Sequence, residues 1–433
     1  MTAVSATAPR VARRESARPR TAVLGTALAL MSATTFSALF GFVFWVVAAR
    51  WFPADQVGRA SAAVSSMSLL AGLAQLNLIN LYARFLPTAG HRSRRLVLAG
   101  CAASATASVV LATGFLALGG AAGVIGDRPA GRLIFTVAVV ASAIFFIQDG
   151  VLAALHRPAW VPVKNVLAAA GKLALLPLLA GAALGDGLLL AWVLPMLLSM
   201  LAVNWWILTR LAPGGRHRDA RAPAPAPARR ELLSFASAEY VNGLLTNAVA
   251  FLPPVLVTAV LGPTASAYFY LPWLVGVAGS TLMWNVVTSF VVSATSDGEQ
   301  SRTHASRAVL LIAAIVGTGA VVLAAAADPL LGLLGPEYAT HGATALRLIG
   351  LSLPFSGVIL LFSAFAIMEK RMWRLVAIQS AVTALFFAGS WLGLPRLGGV
   401  APALALLVTH AAAAGVLMPG LIRRYLATGD RDR

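Results

Sequence analysis

Twelve runs of mostly apolar residues, each long enough to cross a hydrocarbon layer, divide this 433-residue sequence almost from end to end. A spanning helix needs roughly 20 such residues. The runs fall near 22–49, 60–81, 97–119, 133–154, 163–184, 188–209, 232–260, 266–292, 305–327, 343–367, 376–394 and 400–422. No connection between them reaches the size of a soluble domain. Hydrophobic residues make up 59% of the chain and charged residues 11%, against roughly 45–50% and 25% in soluble domains. The bilayer is therefore the solvent that decides the fold, and an all-α membrane protein of about twelve transmembrane helices is expected.

The formal charge of +18 could suggest a nucleic-acid partner, but the placement of the cations argues for membrane topology instead. Of the 33 Lys and Arg, 26 lie in or beside the N-tail, the even-numbered connections and the C-tail, while the odd-numbered connections hold six and Lys172 lies within a span. Positive loops stay in the cytoplasm, which places both termini there and makes this a multi-pass protein of the cytoplasmic (inner) membrane. Cys101 is the only cysteine, so neither a disulfide nor a thiolate metal site is expected. The basic N-terminus followed by Ala22 to Ala49 imitates a signal peptide. That apolar run exceeds the 7–15 residues of a signal core, and an uncleaved first helix is the expectation.

The longest connection, Arg210 to Glu231, carries an alternating Ala-Pro stretch that favours extended, semi-rigid conformations. It reads as a linker between two halves of six spans each. The resulting organisation is a basic cytoplasmic N-tail (1–21), a six-helix bundle (22–209), a cytoplasmic linker (210–231), a second six-helix bundle (232–422) and a C-tail (423–433). Pro53 and Pro263 follow the first and seventh spans at positions 210 residues apart. Equal span counts and orientations fit the parallel repeats of many transporters, whose substrate sites lie at the repeat interface.

Ionisable residues within spans are costly and mark candidate functional sites. Three stand out: Asp149, Lys172 and Glu239. Asp149 and Lys172 are equidistant in sequence from Trp160 and Val161, where the fourth and fifth spans are expected to turn, so an ion pair is expected between them. It could serve helix register or a proton or headgroup relay. Glu239, Asn242 and Thr246 share a face on a 3.6-residue period, with Tyr240 and Asn247 nearby, and Pro253-Pro254 further along is expected to break the helix. That stripe could be packing glue or a cavity lining. On the second span Gln75, Asn77 and Asn80 precede Arg84, whose planar fork could receive a phosphate, and the topology charges Arg92, Arg94 and Arg95. Pro177, Pro195, Pro272, Pro354 and Pro402 are expected to interrupt other spans. No nucleotide-binding, metal-binding or nucleophile motif is present, and no cofactor, metal or catalytic residue is expected.

Several segments resemble a known family. Val57-Gly58-Arg59-Ala60-Ser61, the run Leu69 to Leu78, and Tyr82-Ala83-Arg84-Phe85-Leu86-Pro87 are similar to the second helix and its exit in polysaccharide flippases of the multidrug, oligosaccharidyl-lipid and polysaccharide exporter (MOP) superfamily. Leu334-Gly335-Pro336-Glu337-Tyr338 with Leu346-Arg347-Leu348 resembles the start of their tenth helix, and Asn165 with Lys172 the opening of their fifth. The resemblance implies export of a polyprenyl-pyrophosphate-linked oligosaccharide by alternating access between two six-helix bundles around a central, often cationic cavity. It makes Arg59, Arg84 and Lys172 candidates for the pyrophosphate, Gln75, Asn77, Asn242 and Asn247 for the cavity, and Asp149 or Glu239 for ion coupling. The lipid-linked oligosaccharide and membrane lipids are then the partners, with a polysaccharide polymerase and glycosyltransferases beside them. Lipid II flippases carry two extra helices that this sequence lacks. The competing readings are a drug/cation antiporter of the same superfamily, a membrane glycosyltransferase or polymerase, and a scaffold protein.

Overall fold

Apolar segments must close their backbone hydrogen bonds within themselves, and helices connected by short turns are what the computed structural model contains. It describes residues 39–211 apart from 88, 121–123, 126–128 and 182–186, and residues 229–429 apart from 297–313, 315–316 and 370. The N-tail, the first part of the first span, most of the linker, much of the ninth span and the end of the C-tail lie outside the described residues.

The first half contains α1 (Leu39–Trp51), α2 (Ala54–Ala74), α3 (Leu78–Phe85), α4 (Ser93–Phe115), α5 (Pro129–Ala154), α6 (Trp160–Gly181) and α7 (Gly187–Trp206). The second contains α8 (Arg229–Leu261), α9 (Pro263–Ser296), α10 (317–325), α11 (Ala327–Gly332), α12 (Pro336–Met368), α13 (Met372–Leu397) and α14 (Ala401–Gly429). With α2 and α3 forming one pass and α10 and α11 another, each half makes six passes, and no strand occurs among the described residues. Most helices begin and end within a few residues of the apolar runs. Two expectations fail. Pro253 and Pro254 do not break α8, which runs unbroken through both, and Pro177, Pro195, Pro272 and Pro354 also sit inside continuous helices. The second span, expected as one helix, is interrupted at Gln75–Asn77.

At one of its two prolines α8 takes from a neighbour the donor that the ring removes. Proline at 254 has no N–H to give the carbonyl of Ala250, and Trp273 Nε1 on α9 donates to that oxygen at 2.8 Å. Such a replacement donor is one way proline is tolerated at membrane depth. Thr258 Oγ1 and Ser266 Oγ add bonds to the Pro254 carbonyl at 2.8 and 3.2 Å.

Helix α2 is the axle of the molecule. It packs on α4, α5 and α7 of its own half and on α8 and α9 of the other, and most of its side chains are buried. The sequence allows this because the helix is rich in Ala, Ser and Gly, which let backbones approach closely where lipid offers no hydrophobic drive for helix association. A Cβ on Gly58 would lie 1.7 Å from the Pro263 carbonyl oxygen, and one on Gly72 would lie 1.8 Å from Asn247 Nδ2. Further along, Asn80 on α3 meets Glu239 on α8. The pairs Gly58 with Pro263, Gly72 with Asn247 and Asn80 with Glu239 trace a continuous antiparallel seam between the two halves. Towards the odd-numbered connections the halves also meet through the rings of Trp45 and Tyr270, 4.8 Å apart, and through Arg50 Nε, which donates to the Leu333 carbonyl at 2.6 Å.

Replacing Gly58 by Val forces overpacking against backbone that cannot step aside, at a cost of about 1–3 kcal/mol. Gly114→Val, at a site with nothing within 4 Å of the added Cβ, is the matched control. Thermal unfolding followed by size-exclusion chromatography should show a lowered midpoint for Gly58→Val alone.

Candidate functional site

The interruption in the second span places irregular backbone at the seam. Leu76 and Asn77 adopt left-handed conformations, with φ of 51° and 56°. For residues other than glycine this costs roughly 1–2 kcal/mol each and persists only where surrounding structure imposes it. The surroundings here are polar. Tyr240 Oη donates to the Leu73 carbonyl at 3.1 Å, and Asn80 Nδ2 donates to Asn77 Oδ1 at 2.7 Å and to Glu239 Oε1 at 2.9 Å. The polar stripe of α8 thus meets the broken span: Asn77, Asn80 and Glu239 form one junction, and Asn247 lies two turns further along α8 against Gly72. Asn80 and Tyr240, which the sequence places in polar clusters without a role, supply its cross-links.

From this junction a cavity of about 620 Å³ extends among α8, α9, α12, α13 and α14. Glu239, Asn242, Thr246 and Asn247 form its α8 wall, and Ser352, Ser356 and Ser363, spaced along α12, face them with Gln379 and His410. Ser356 Oγ and His410 Nδ1 are 2.7 Å apart. Trp273 and Trp284 complete an aromatic side. The lining is mostly aliphatic and aromatic, with Val277, Met283, Ile349, Leu353 and Leu360 between the polar groups; amides, hydroxyls, one imidazole and a single carboxylate are set into it, and it contains no Lys or Arg. It runs from mid-helix positions such as Ala250 and Ile349 to Ile367 and Met372, which flank the α12–α13 connection, an even-numbered one. The cavity lies within the second half, with Glu239 joining it to the seam. His410 was visible in the sequence as an ionisable residue inside the last span.

The remaining candidates lie elsewhere. Arg59 pairs with Asp55 at 2.7 Å one turn away on α2, with both side chains well exposed. Arg84 is exposed in the last turn of α3, 5.7 Å from the ring of Phe85. Lys172 places Nζ 3.4 Å from the centroid of the Trp192 ring, a cation–π contact, and has no carboxylate partner among the described residues. The three cations expected to receive a phosphate are thus dispersed and none lines the cavity.

Asp149 is paired, but with Lys164 rather than Lys172. Lys164 Nζ lies 2.7 Å from Asp149 Oδ1 and donates to the Phe145 carbonyl at 2.6 Å, with its side chain 1% exposed. The turn between α5 and α6 occupies residues 155–159, not 160–161, so its midpoint is residue 157. Asp149 lies eight residues before that point and Lys164 seven after it, at matching depth. Lys172 is eight residues further along α6, about 12 Å at 1.5 Å per residue.

No known family profile matches the sequence, and no curated protein matches it. Solved structures do. The chain is similar to a multidrug resistance MATE family transporter of the MOP superfamily in an inward-facing conformation, with a TM-score of 0.69 at 13% identity over 93% of this chain and 98% of the other. It is similar to the lipid II flippase MurJ in an inward closed conformation, with a TM-score of 0.67 at 14% identity over 92% and 89%. A MOP superfamily transporter from Pyrococcus furiosus matches with a TM-score of 0.64 at 14% identity over 94% and 96%. The fold is therefore the two-bundle helical fold that these transporters and flippases share, with twelve passes in this chain.

Asp149→Asn leaves the buried Lys164 ammonium uncompensated, a class of change that costs about 3–5 kcal/mol, and should lower the thermal midpoint sharply. Adding Lys164→Gln should restore much of it, with a coupling of about 1–3 kcal/mol, whereas adding Lys172→Gln should not. A double-mutant cycle on the purified protein measures both.

Proposed function

We propose that the chain carries a polyprenyl-pyrophosphate-linked oligosaccharide across the cytoplasmic membrane by alternating access, serving cell-surface polysaccharide biosynthesis. The observation that supports this reading is the cavity of about 620 Å³, in whose largely apolar wall a row of amides, hydroxyls and one carboxylate is set along α8 and α12. A glycan cannot enter hydrocarbon without replacing its water contacts, and Asn242, Thr246, Asn247, Ser352, Ser356 and Gln379 offer donors and acceptors of matching kind. With even-numbered connections in the cytoplasm, the cavity lies in the cytoplasmic half, and the Gly58–Pro263 end of the seam together with the Trp45–Tyr270 and Arg50–Leu333 contacts closes the outer side. That is the arrangement for loading from the inner leaflet.

The sugar would occupy the cavity and the pyrophosphate would remain at its mouth. Arg371 adjoins the lining residue Met372 and is exposed there, with Arg374 one turn beyond it, and guanidinium groups bind phosphate oxygens through paired hydrogen bonds. The polyprenyl tail would stay in the bilayer. Glu239 is the residue for ion coupling, because it lines the cavity and also bonds to Asn80 across the seam. Asp149, neutralised by Lys164, holds α5 to α6. A polymerase and glycosyltransferases acting on the same glycan are the expected partners.

A second reading has a specific observation in its favour. One carboxylate, aromatic walls and no cationic lining residue suit an amphiphilic cation, as in a drug/cation antiporter. The two readings separate in cells. Deletion should accumulate lipid-linked oligosaccharide on the cytoplasmic leaflet, wild type should clear it, and Glu239→Gln should cut that clearance by about tenfold or more while leaving expression unchanged, given the price of losing a charge-assisted bond at the seam. If deletion instead leaves the lipid-linked sugars unchanged and sensitises a pump-deficient host to cationic drugs, the antiporter reading replaces this one.

A further inference from the structure

A second cavity lies on the first half, away from the transport cavity and lined by none of its residues. It is a shallow cavity, widely open to the outside, of about 500 Å³, bordered by Arg157, Trp205, Trp206, Arg210 and Leu211. Two guanidinium groups and two indoles converge here, Arg157 from the α5–α6 connection and Trp205, Trp206 and Arg210 from the end of α7. Arg157 follows α5 through a helix-ending turn in which its N–H donates to the Leu152 carbonyl at 2.9 Å, and His156 takes the left-handed conformation with φ of 62°. Glycine normally occupies that position, so the turn accepts strain to set where Arg157 leaves the helix. Arg210 stands in the wide helical turn Ile207–Leu211 that ends α7, a departure from α-helical spacing often found at functional sites. The indoles of Trp160 and Trp206, 4.7 Å apart, tie the start of α6 to the end of α7 beside the cavity.

Among the described residues neither Arg157 nor Arg210 has an acidic partner, and both side chains are exposed. Trp205 is 65% exposed, as befits an indole in the headgroup layer. Arginines that only hold topology need no shared cavity and no aromatic walls. Basic pockets between helices on the cytoplasmic side recognise anionic lipid headgroups, and Arg binds phosphate through a planar fork. We infer that Arg157, Arg210, Trp205 and Trp206 form a binding site for the phosphate headgroup of an anionic phospholipid of the leaflet that faces the even-numbered connections. The guanidinium groups hold the phosphate oxygens, and the indoles pack on the glycerol and the first acyl carbons. The inference does not depend on the identity of the transported substrate.

Native mass spectrometry of the full-length protein, titrated with phosphatidylglycerol and with phosphatidylcholine in detergent, tests it. Wild type should retain one tightly held phosphatidylglycerol per chain, and Arg157→Gln/Arg210→Gln should weaken that binding about tenfold, as expected for lost charge-assisted bonds. Arg94→Gln/Arg95→Gln removes the same charge from exposed positions on the same side and should change it less than about twofold, since exposed charges are screened. Equal losses in both variants, or none in the first, would overturn the site. If the first variant cannot be purified, Arg157→Lys/Arg210→Lys keeps the charge without the fork and should weaken binding about threefold; unchanged affinity there would overturn it. Glycerol 3-phosphate is the final arm. It should fail to displace the lipid at millimolar concentration, and displacement would show that the cavity takes a soluble phosphate and not a lipid.

Discussion

Hydrocarbon offers no hydrogen bonds, and this constraint shapes the chain wherever its backbone departs from the helix. At Leu76 and Asn77 two residues leave helical geometry at membrane depth, where irregular backbone needs polar partners other than lipid. The break finds its polar partners on α8, where Tyr240 donates to the Leu73 carbonyl and Glu239 accepts from Asn80. The dependence is mutual. Without the break, Leu73 would have no need of a tyrosine hydroxyl, and Asn80 would not turn towards α8.

The same constraint explains why proline proved a poor guide to irregularity. A proline withdraws one donor at a known place, and evolution can answer it with one side chain, as Trp273 answers for Ala250. The break carries no proline and no glycine. It is imposed by tertiary contacts, with Gly72 letting α8 approach and the Asn77–Asn80 bond closing the turn. Local sequence therefore gave no sign of it beyond the density of amides at 75, 77 and 80.

Other features divide along similar lines. Spans were legible because membrane thickness sets a length that apolar runs must match, and the polar stripe of α8 was legible because a 3.6-residue period is a local property. Partnerships were not. Lys164 sits where a helix leaves the membrane, a position at which positive residues serve topology, and only the true limits of the α5–α6 turn place it opposite Asp149. Depth in sequence was likewise a poor proxy for facing: Arg59, Arg84 and Lys172 lie on three separate surfaces because the rotation of each helix is set by its neighbours.

Glu239 is where these constraints converge. It belongs to α8 of the second half, lines the cavity of that half, and accepts a hydrogen bond from Asn80 of the first. Because Asn80 also donates to Asn77, one amide group links the carboxylate to the backbone break. Any movement of the two halves that separates α3 from α8 must release Glu239 from Asn80, and any ligand that competes for the carboxylate weakens the same link. A ligand can shift a conformational equilibrium only by its differential affinity for the two states. The Glu239–Asn80 bond supplies a concrete source of that difference, since it is made when the seam is closed and is available to a ligand or an ion once the seam opens.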